Sequence, residues 1–198
     1  MKKLLLSASL AFAMLTSFSQ KSHVNFGIKA GANFTTFSSD DNSNYDYKTG
    51  VNLGGLLHAH ITKRFAFQPE LLYSVEGAKL NLPGTTDNLR ANLNYVRLPL
   101  LIQYMTGSGL RFQLGPQLGI LASAKQKNGS TTTDVKNSYK TTEAGLVGGV
   151  GFVFKNGLGI DARYNYGLSK INAGAGPDVN NRGFAVGLFY HLNAQHGN

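Results

Sequence analysis

The chain has 198 residues, among them 24 Gly, 12 Phe and 9 Tyr but no Cys or Trp, with 15% charged residues and a formal net charge of +9. That length and aromatic content fit one domain with a buried core, and the lack of cysteine excludes a disulfide scaffold, a thiolate metal centre and a thiol nucleophile. The charge suits nucleic acid, acidic lipid or lipopolysaccharide, while the glycine is too abundant for helices and has no collagen period.

The first segment reads as a leader. Lys2 and Lys3 precede an apolar run from Leu4 to Leu15, and Ser17 and Ser19 stand at the −3 and −1 positions of a cleavage site. A signal peptide is expected over 1–19 and the mature domain over 20–198, because about twenty apolar residues are needed to span a membrane and this run is shorter. The mature chain keeps 17 of the 19 basic residues and all 10 acidic ones. Export leaves no role for nucleic acid as a partner.

Beyond the leader the chain alternates apolar with small or polar residues, the period of a strand, and nowhere sustains a helical period. Eight runs follow in order. The first sets Val24, Phe26, Ile28, Ala30, Ala32 and Phe34 against Asn25, Gly27, Lys29, Gly31 and Asn33. The second sets Val51, Leu53, Leu57 and Ile61 against Asn52, Gly54, His58 and His60. The third sets Phe65, Phe67, Pro69, Leu71, Tyr73 and Val75 against Gln68, Glu70, Ser74 and Glu76. In the fourth, Val96, Leu98, Leu100, Ile102 and Tyr104 oppose Tyr95, Arg97, Pro99 and Gln103. In the fifth, Leu110, Phe112, Leu114, Leu118 and Ile120 oppose Arg111, Gln113, Gly115, Gln117 and Gly119. The last three put Ala144–Phe154, Leu158–Tyr166 and Phe184–Leu192 on the same alternation, with Glu143, Asp161, Arg163 and His191 on the polar side.

Short connections follow the second, fourth and sixth runs, and long polar ones follow the others, near Thr36–Thr49, Gly77–Asn92, Ser123–Thr141 and Ser169–Arg182. An antiparallel up-and-down meander with all its short turns at one end has the asymmetry of a bacterial outer-membrane barrel. The faces decide between this and a soluble, lipocalin-like carrier. The polar face is rich in glycine and carries four bases, Lys29, Arg97, Arg111 and Arg163, against four acids, Glu70, Glu76, Glu143 and Asp161. Balance of that kind suits a narrow lumen in which buried ions must pair. The apolar face is nearly free of charge, with Phe and Tyr near many strand ends, as lipid contact requires. The expected fold is all-β, an eight-stranded antiparallel transmembrane barrel with a filled polar lumen.

Several segments also match a known family. Phe67-Gln68-Pro69-Glu70-Leu71-Leu72-Tyr73, Tyr95-Val96-Arg97-Leu98-Pro99-Leu100-Leu101, Leu114-Gly115-Pro116-Gln117-Leu118-Gly119 and Gly159-Ile160-Asp161-Ala162-Arg163-Tyr164 occur in this order over nearly the whole mature chain. Their succession resembles the PorT-like outer-membrane β-barrel family of Bacteroidota. The resemblance implies a cell-envelope barrel, and through the family's founding member it raises an accessory role in protein secretion. Two features depart from the family pattern: Arg97 stands where an acid often follows the Tyr, and Asn193–Asn198 follow the last strand in place of a terminal aromatic signal.

Three groups of residues are candidates for chemistry. The lumen charges would form a salt-bridged plug, with Glu70 and Arg97 meeting on adjacent strands, or else an ion path. His23, His58, His60 and His191 share the inward parity near the short-turn end, where neutral imidazoles could bind zinc, although no acidic partner stands near and no metal or other cofactor is expected. Lys125, Lys127, Lys136 and Lys140 cluster in one long connection and could meet lipopolysaccharide phosphates. No Ser, His and acid arrangement is legible, so no enzymatic activity is expected; a lipid-modifying barrel enzyme is the alternative. The expected role is that of a monomeric, integral outer-membrane protein, structural or interacting, with membrane lipid, lipopolysaccharide and envelope proteins as its partners.

Overall fold

A computed structural model of the protein describes residues 24–39, 45–81, 88–174 and 176–192. The leader expected over 1–19 and the candidate ligand His23 lie outside them. The strands are β1 (Val24–Ser39), β2 (Tyr45–His60), β3 (Phe65–Asn81), β4 (Asn88–Met105), β5 (Leu110–Asn128), a short β6 (Thr131–Asp134), β7 (Thr142–Val153), β8 (Leu158–Gly167) and β9 (Val179–His191). Hydrogen-bonded neighbours run β4-β3-β2-β1-β9-β8-β7-β5, and β4 also pairs with β5, so eight antiparallel strands close on themselves and β6 is an added hairpin. Among the described residues, closure leaves none of these eight strands at an open sheet edge, which hydrocarbon would not tolerate.

The alternation sorts the side chains as the period-two reading requires. Phe26, Ile28, Leu53, Leu71, Leu114, Leu118, Ile160 and Leu188 are exposed on the outer wall, while Lys29, Asn52, Gln68, Glu70, Arg97 and Gln113 are buried in the bore. The short turns after β2, β4 and β7 stand at one end, where Gly109 and Gly157 take φ of +97° and +84°, conformations glycine adopts without a Cβ clash.

The strands run well past the expected boundaries. Much of the first three segments read as long connections, 36–49, 77–92 and 123–141, is strand, since β2 begins at Tyr45, β3 reaches Asn81, β4 begins at Asn88 and β5 reaches Asn128, and the fourth, 169–182, becomes strand only from Val179, where β9 begins. Above the apolar belt the outer wall faces water, so the ladder persists there without an outward apolar signal. The wall is lower at β7 and β8, and the chain between the strands fills the gap. Lys140 N–H donates to the Ile171 carbonyl at 2.7 Å and Ala173 N–H to that of Ser138 at 3.0 Å, while Tyr139 and Asn172 form an isolated bridge.

The lumen is not polar throughout, which corrects the expectation of a filled polar interior. At the long-loop end Phe37, Leu93, Tyr95, Leu121 and Ile171 form a buried apolar cluster, with Tyr45, Val135, Tyr139 and Val179 packed against it. Most of these residues fall in segments read as connections, and their inward orientation arises only once the walls extend. Burial in this plug, and then the neighbouring Tyr45, raise the Tyr139 phenol above its ordinary pKa, which keeps it neutral.

Glycine makes the small radius possible. A Cβ on Gly54 would lie 1.9 Å from the Leu71 carbonyl oxygen, and one on Gly187 would meet Asp161 Oδ1 at 2.9 Å and Lys29 Cε at 3.0 Å. The first position admits the neighbouring backbone and the second admits a buried ion pair. Gly54→Ala is therefore expected to cost about 1–3 kcal/mol, as overpacking does. Gly107→Ala, where nothing lies within 4 Å, is expected to change little; urea titration of the refolded protein by far-UV circular dichroism checks both.

Candidate functional site

Two ion-paired layers cross the bore, built from inward positions on both adjacent and distant strands. In the lower layer, Arg163 of β8 reaches across to Glu70 of β3, with Nη1 to Oε2 at 2.6 Å and Nη2 to Oε1 at 2.7 Å. Asp161 lies 2.8 Å from Arg163 Nη2, and Lys29 of β1 donates to Asp161 and stands 3.9 Å from Glu70. Glutamines extend the layer: Gln68 Nε2 donates to Glu70 at 2.7 Å, Arg163 Nη2 to Gln113 at 3.1 Å, and Gln103 Nε2 to Gln113 at 3.0 Å.

The upper layer centres on Arg97 of β4. Its Nε donates to Glu76 Oε1 at 2.9 Å and its Nη2 to Glu143 Oε2 at 2.9 Å, while the guanidinium carbon lies 4.1 Å from the centre of the Tyr95 ring. Asn181 of β9 also donates to Glu76, and Lys48 Nζ donates to the Glu76 carbonyl at 3.0 Å. Between the layers Asn52 Nδ2 donates to Asn33 at 2.6 Å, and Asn33 Nδ2 to Ser74 at 2.8 Å.

Glu70 and Arg97, expected to meet, lie in different layers. The β3–β4 register pairs Arg97 with Leu72, so Glu70 stands two residues lower, and its partner comes from the far wall. Lys48 is an inward base that the sequence reading placed in a connection. It sits at a β2–β3 register irregularity between Tyr47 and Asn52, and only its spacing of four residues from inward Asn52 could have marked it.

At the short-turn end three histidines converge. His58 stacks edge-on against His60 at 4.7 Å between ring centres and lies 5.0 Å from His191. His58 Nδ1 is 2.9 Å from Gln68 Oε1, which makes Nδ1 the protonated nitrogen. Arg111 Nη1 approaches His58 Nε2 at 3.4 Å and Gln103 Oε1 at 3.3 Å. A fixed guanidinium beside the imidazoles opposes a second cation, and among the described residues no group of three or more His, Cys, Asp or Glu is arranged to hold a metal.

The four lysines of the long connection separate into two places. Lys125 and Lys127 belong to the upper end of β5, Lys136 folds back so that its Nζ donates to the Ala122 carbonyl at 2.9 Å, and all three are exposed. Lys140 lies in the chain between β6 and β7, its backbone bound to Ile171 of the β8–β9 connection.

A sequence profile described as an outer-membrane-protein β-barrel domain matches residues 18–173. No curated protein sequence matches the chain. Among solved structures, Neisserial surface protein A aligns with a TM-score of 0.57 at 17% identity, over 84% of this chain and 97% of that one. Ail of Yersinia pestis, solved in complex with the heparin analogue sucrose octasulfate, aligns with a TM-score of 0.50 at 17% identity, over 85% and 99%. At these identities the likeness is one of fold.

Proposed function

Because the chain belongs to the outer-membrane-protein β-barrel domain family and resides in the bacterial outer membrane, we propose that it is a sealed, non-enzymatic barrel that acts through its outer surface and long-loop end. The observation that carries this reading is the bore itself. Two ion-paired layers and an apolar plug fill successive levels of it, leaving the external surface as the place to meet a partner. The buried carboxylates are engaged by Arg97, Arg163 and Lys29, and the described histidines lie at the opposite end from Glu143. This supports the non-enzymatic reading over a lipid-modifying enzyme. The leader over 1–19 is removed in this reading, and a monomer is inserted. The PorT-like motifs favour one further role, that of an accessory to protein secretion.

Purified protein in planar bilayers is expected to give no steady current. A reproducible ion-selective conductance from the wild-type chain would show that the layers part and would replace the sealed reading with a channel.

A further inference from the structure

The outer wall of β3, β4 and β5 carries an unusual row above its apolar belt. Register places Lys79 opposite Arg90, and Arg90 opposite Lys127, so three cations stand side by side on three adjacent strands. They point outward, because Ala78 beside Lys79, Ala91 beside Arg90 and Ala124 three residues before Lys127 turn into the plug and side chains alternate along a strand. On β5 this orientation depends on a bulge, since Asn94 pairs with Ser123 but Tyr95 with Leu121, leaving Ala122 as the extra residue. Lys125 lies two residues from Lys127, and Lys136 reaches the Ala122 carbonyl that the bulge exposes. Asp46 flanks the row opposite Lys79, and Asp134 stands opposite Lys125, so five cations face two acids among the described residues of this wall.

Like charges directly opposite one another destabilise a strand pair, and Lys127 on the far side of Arg90 faces Thr132 rather than an acid. A polyanion removes that repulsion. Its position follows from the belt below, which ends outward at Val75, Val96 and Ile120. Four residues separate Val75 from Lys79, roughly 10 Å along the membrane normal for a tilted strand, the level of the outer-leaflet headgroups. The row spans three strands, about 10 Å at strand spacing, and Arg supplies a bidentate fork for phosphate.

We propose that this wall binds the phosphates of outer-leaflet lipopolysaccharide through Lys79, Arg90 and Lys127, with Lys125 and Lys136 alongside. The proposal deepens the reading of a barrel that works through its outer surface, and it rests on the long-loop end facing outward. It adds Lys79 and Arg90 to the lysines legible in the sequence and leaves out Lys140.

The test uses the full mature chain refolded in zwitterionic micelles, with purified lipopolysaccharide, the same lipid after phosphatase treatment, and inorganic phosphate as probes. Wild type is expected to bind the phosphorylated lipid at least tenfold more tightly than the dephosphorylated one, with binding weakened by salt and little competed by inorganic phosphate. The triple variant K79Q/R90Q/K127Q, whose changes are all on the outer wall, is expected to lose at least tenfold in affinity while keeping its far-UV spectrum; K63Q/R64Q/K155Q at the short turns is expected to bind as wild type. Undiminished binding by the first variant, or equal binding of the two lipids, overturns the phosphate site. The premise is checked separately. The chain has no cysteine, so Ser130→Cys in the β5–β6 hairpin gives one thiol that a membrane-impermeant maleimide is expected to label on intact cells. Absence of labelling overturns the orientation and the proposal together, whereas labelling with unchanged lipid binding overturns the proposal alone.

Discussion

Replacing Arg97 with methionine is expected to lower the unfolding free energy by about 3–5 kcal/mol, the usual cost of removing one partner from a buried ion pair. Arg97 is buried and serves two carboxylates, at 2.9 Å to Glu76 Oε1 and 2.9 Å to Glu143 Oε2. Without it both acids remain in the bore with Asn181 and Lys48 as their nearest help, and Lys48 is spent on a backbone carbonyl. The loss arises mainly from uncompensated charge. Arg97→Met combined with Glu76→Gln and Glu143→Gln is therefore expected to regain most of it, since neutral groups of similar shape replace a buried ion cluster at little net cost. Guanidinium unfolding of the refolded protein by far-UV circular dichroism measures both. If the triple variant were as unstable as the single one, the layer would be held by packing of the Arg97 side chain on Tyr95 rather than by charge.

Leu114→Arg is expected to cost about 2–4 kcal/mol in a bilayer, the cost of a cation on the lipid face near the midplane. Leu114 is 64% exposed on the outer wall, and its register partners are Ile102 and Gly148. In water a residue so exposed would tolerate arginine within about 0.5 kcal/mol, so the experiment separates a lipid-facing wall from a wetted one. Reversible unfolding from lipid vesicles reads the difference. Lys79→Gln, above the belt, serves as a control and is expected to leave bilayer stability nearly unchanged.

Much of the barrel was legible because a side-chain period of two assigns faces without knowledge of neighbours. The outward set from Phe26 to Leu192, the inward charges and glycines, and the turns at Gly109 and Gly157 all follow from local alternation. The site was legible only as an inventory. Glu70 and Arg97 stand on adjacent strands and invite pairing, yet the partner of Glu70 is Arg163, 93 residues away. Such pairs are set by barrel stagger and by how far an arginine reaches across a narrow bore, and neither quantity is encoded in spacing along one strand.

The bulge at Ala122 draws the same line in a single element. Counting by twos up β5 from inward Arg111 aims Lys125 and Lys127 into the lumen, and the one extra residue turns both outward beside Arg90. A bulge forms where closure needs a local change of twist, so its place is a property of the closed sheet. Lys48 and the plug residues Phe37 and Leu93 are of this kind as well, inward only because the walls continue past the membrane. Alternation and composition were thus sufficient for strand number, closure into a barrel and the membrane-facing side, since lipid imposes a rule on every second residue. Register, bulges and reach across the bore decided which charges meet and which cations stand in a row, because those contacts join strands that the chain order keeps far apart.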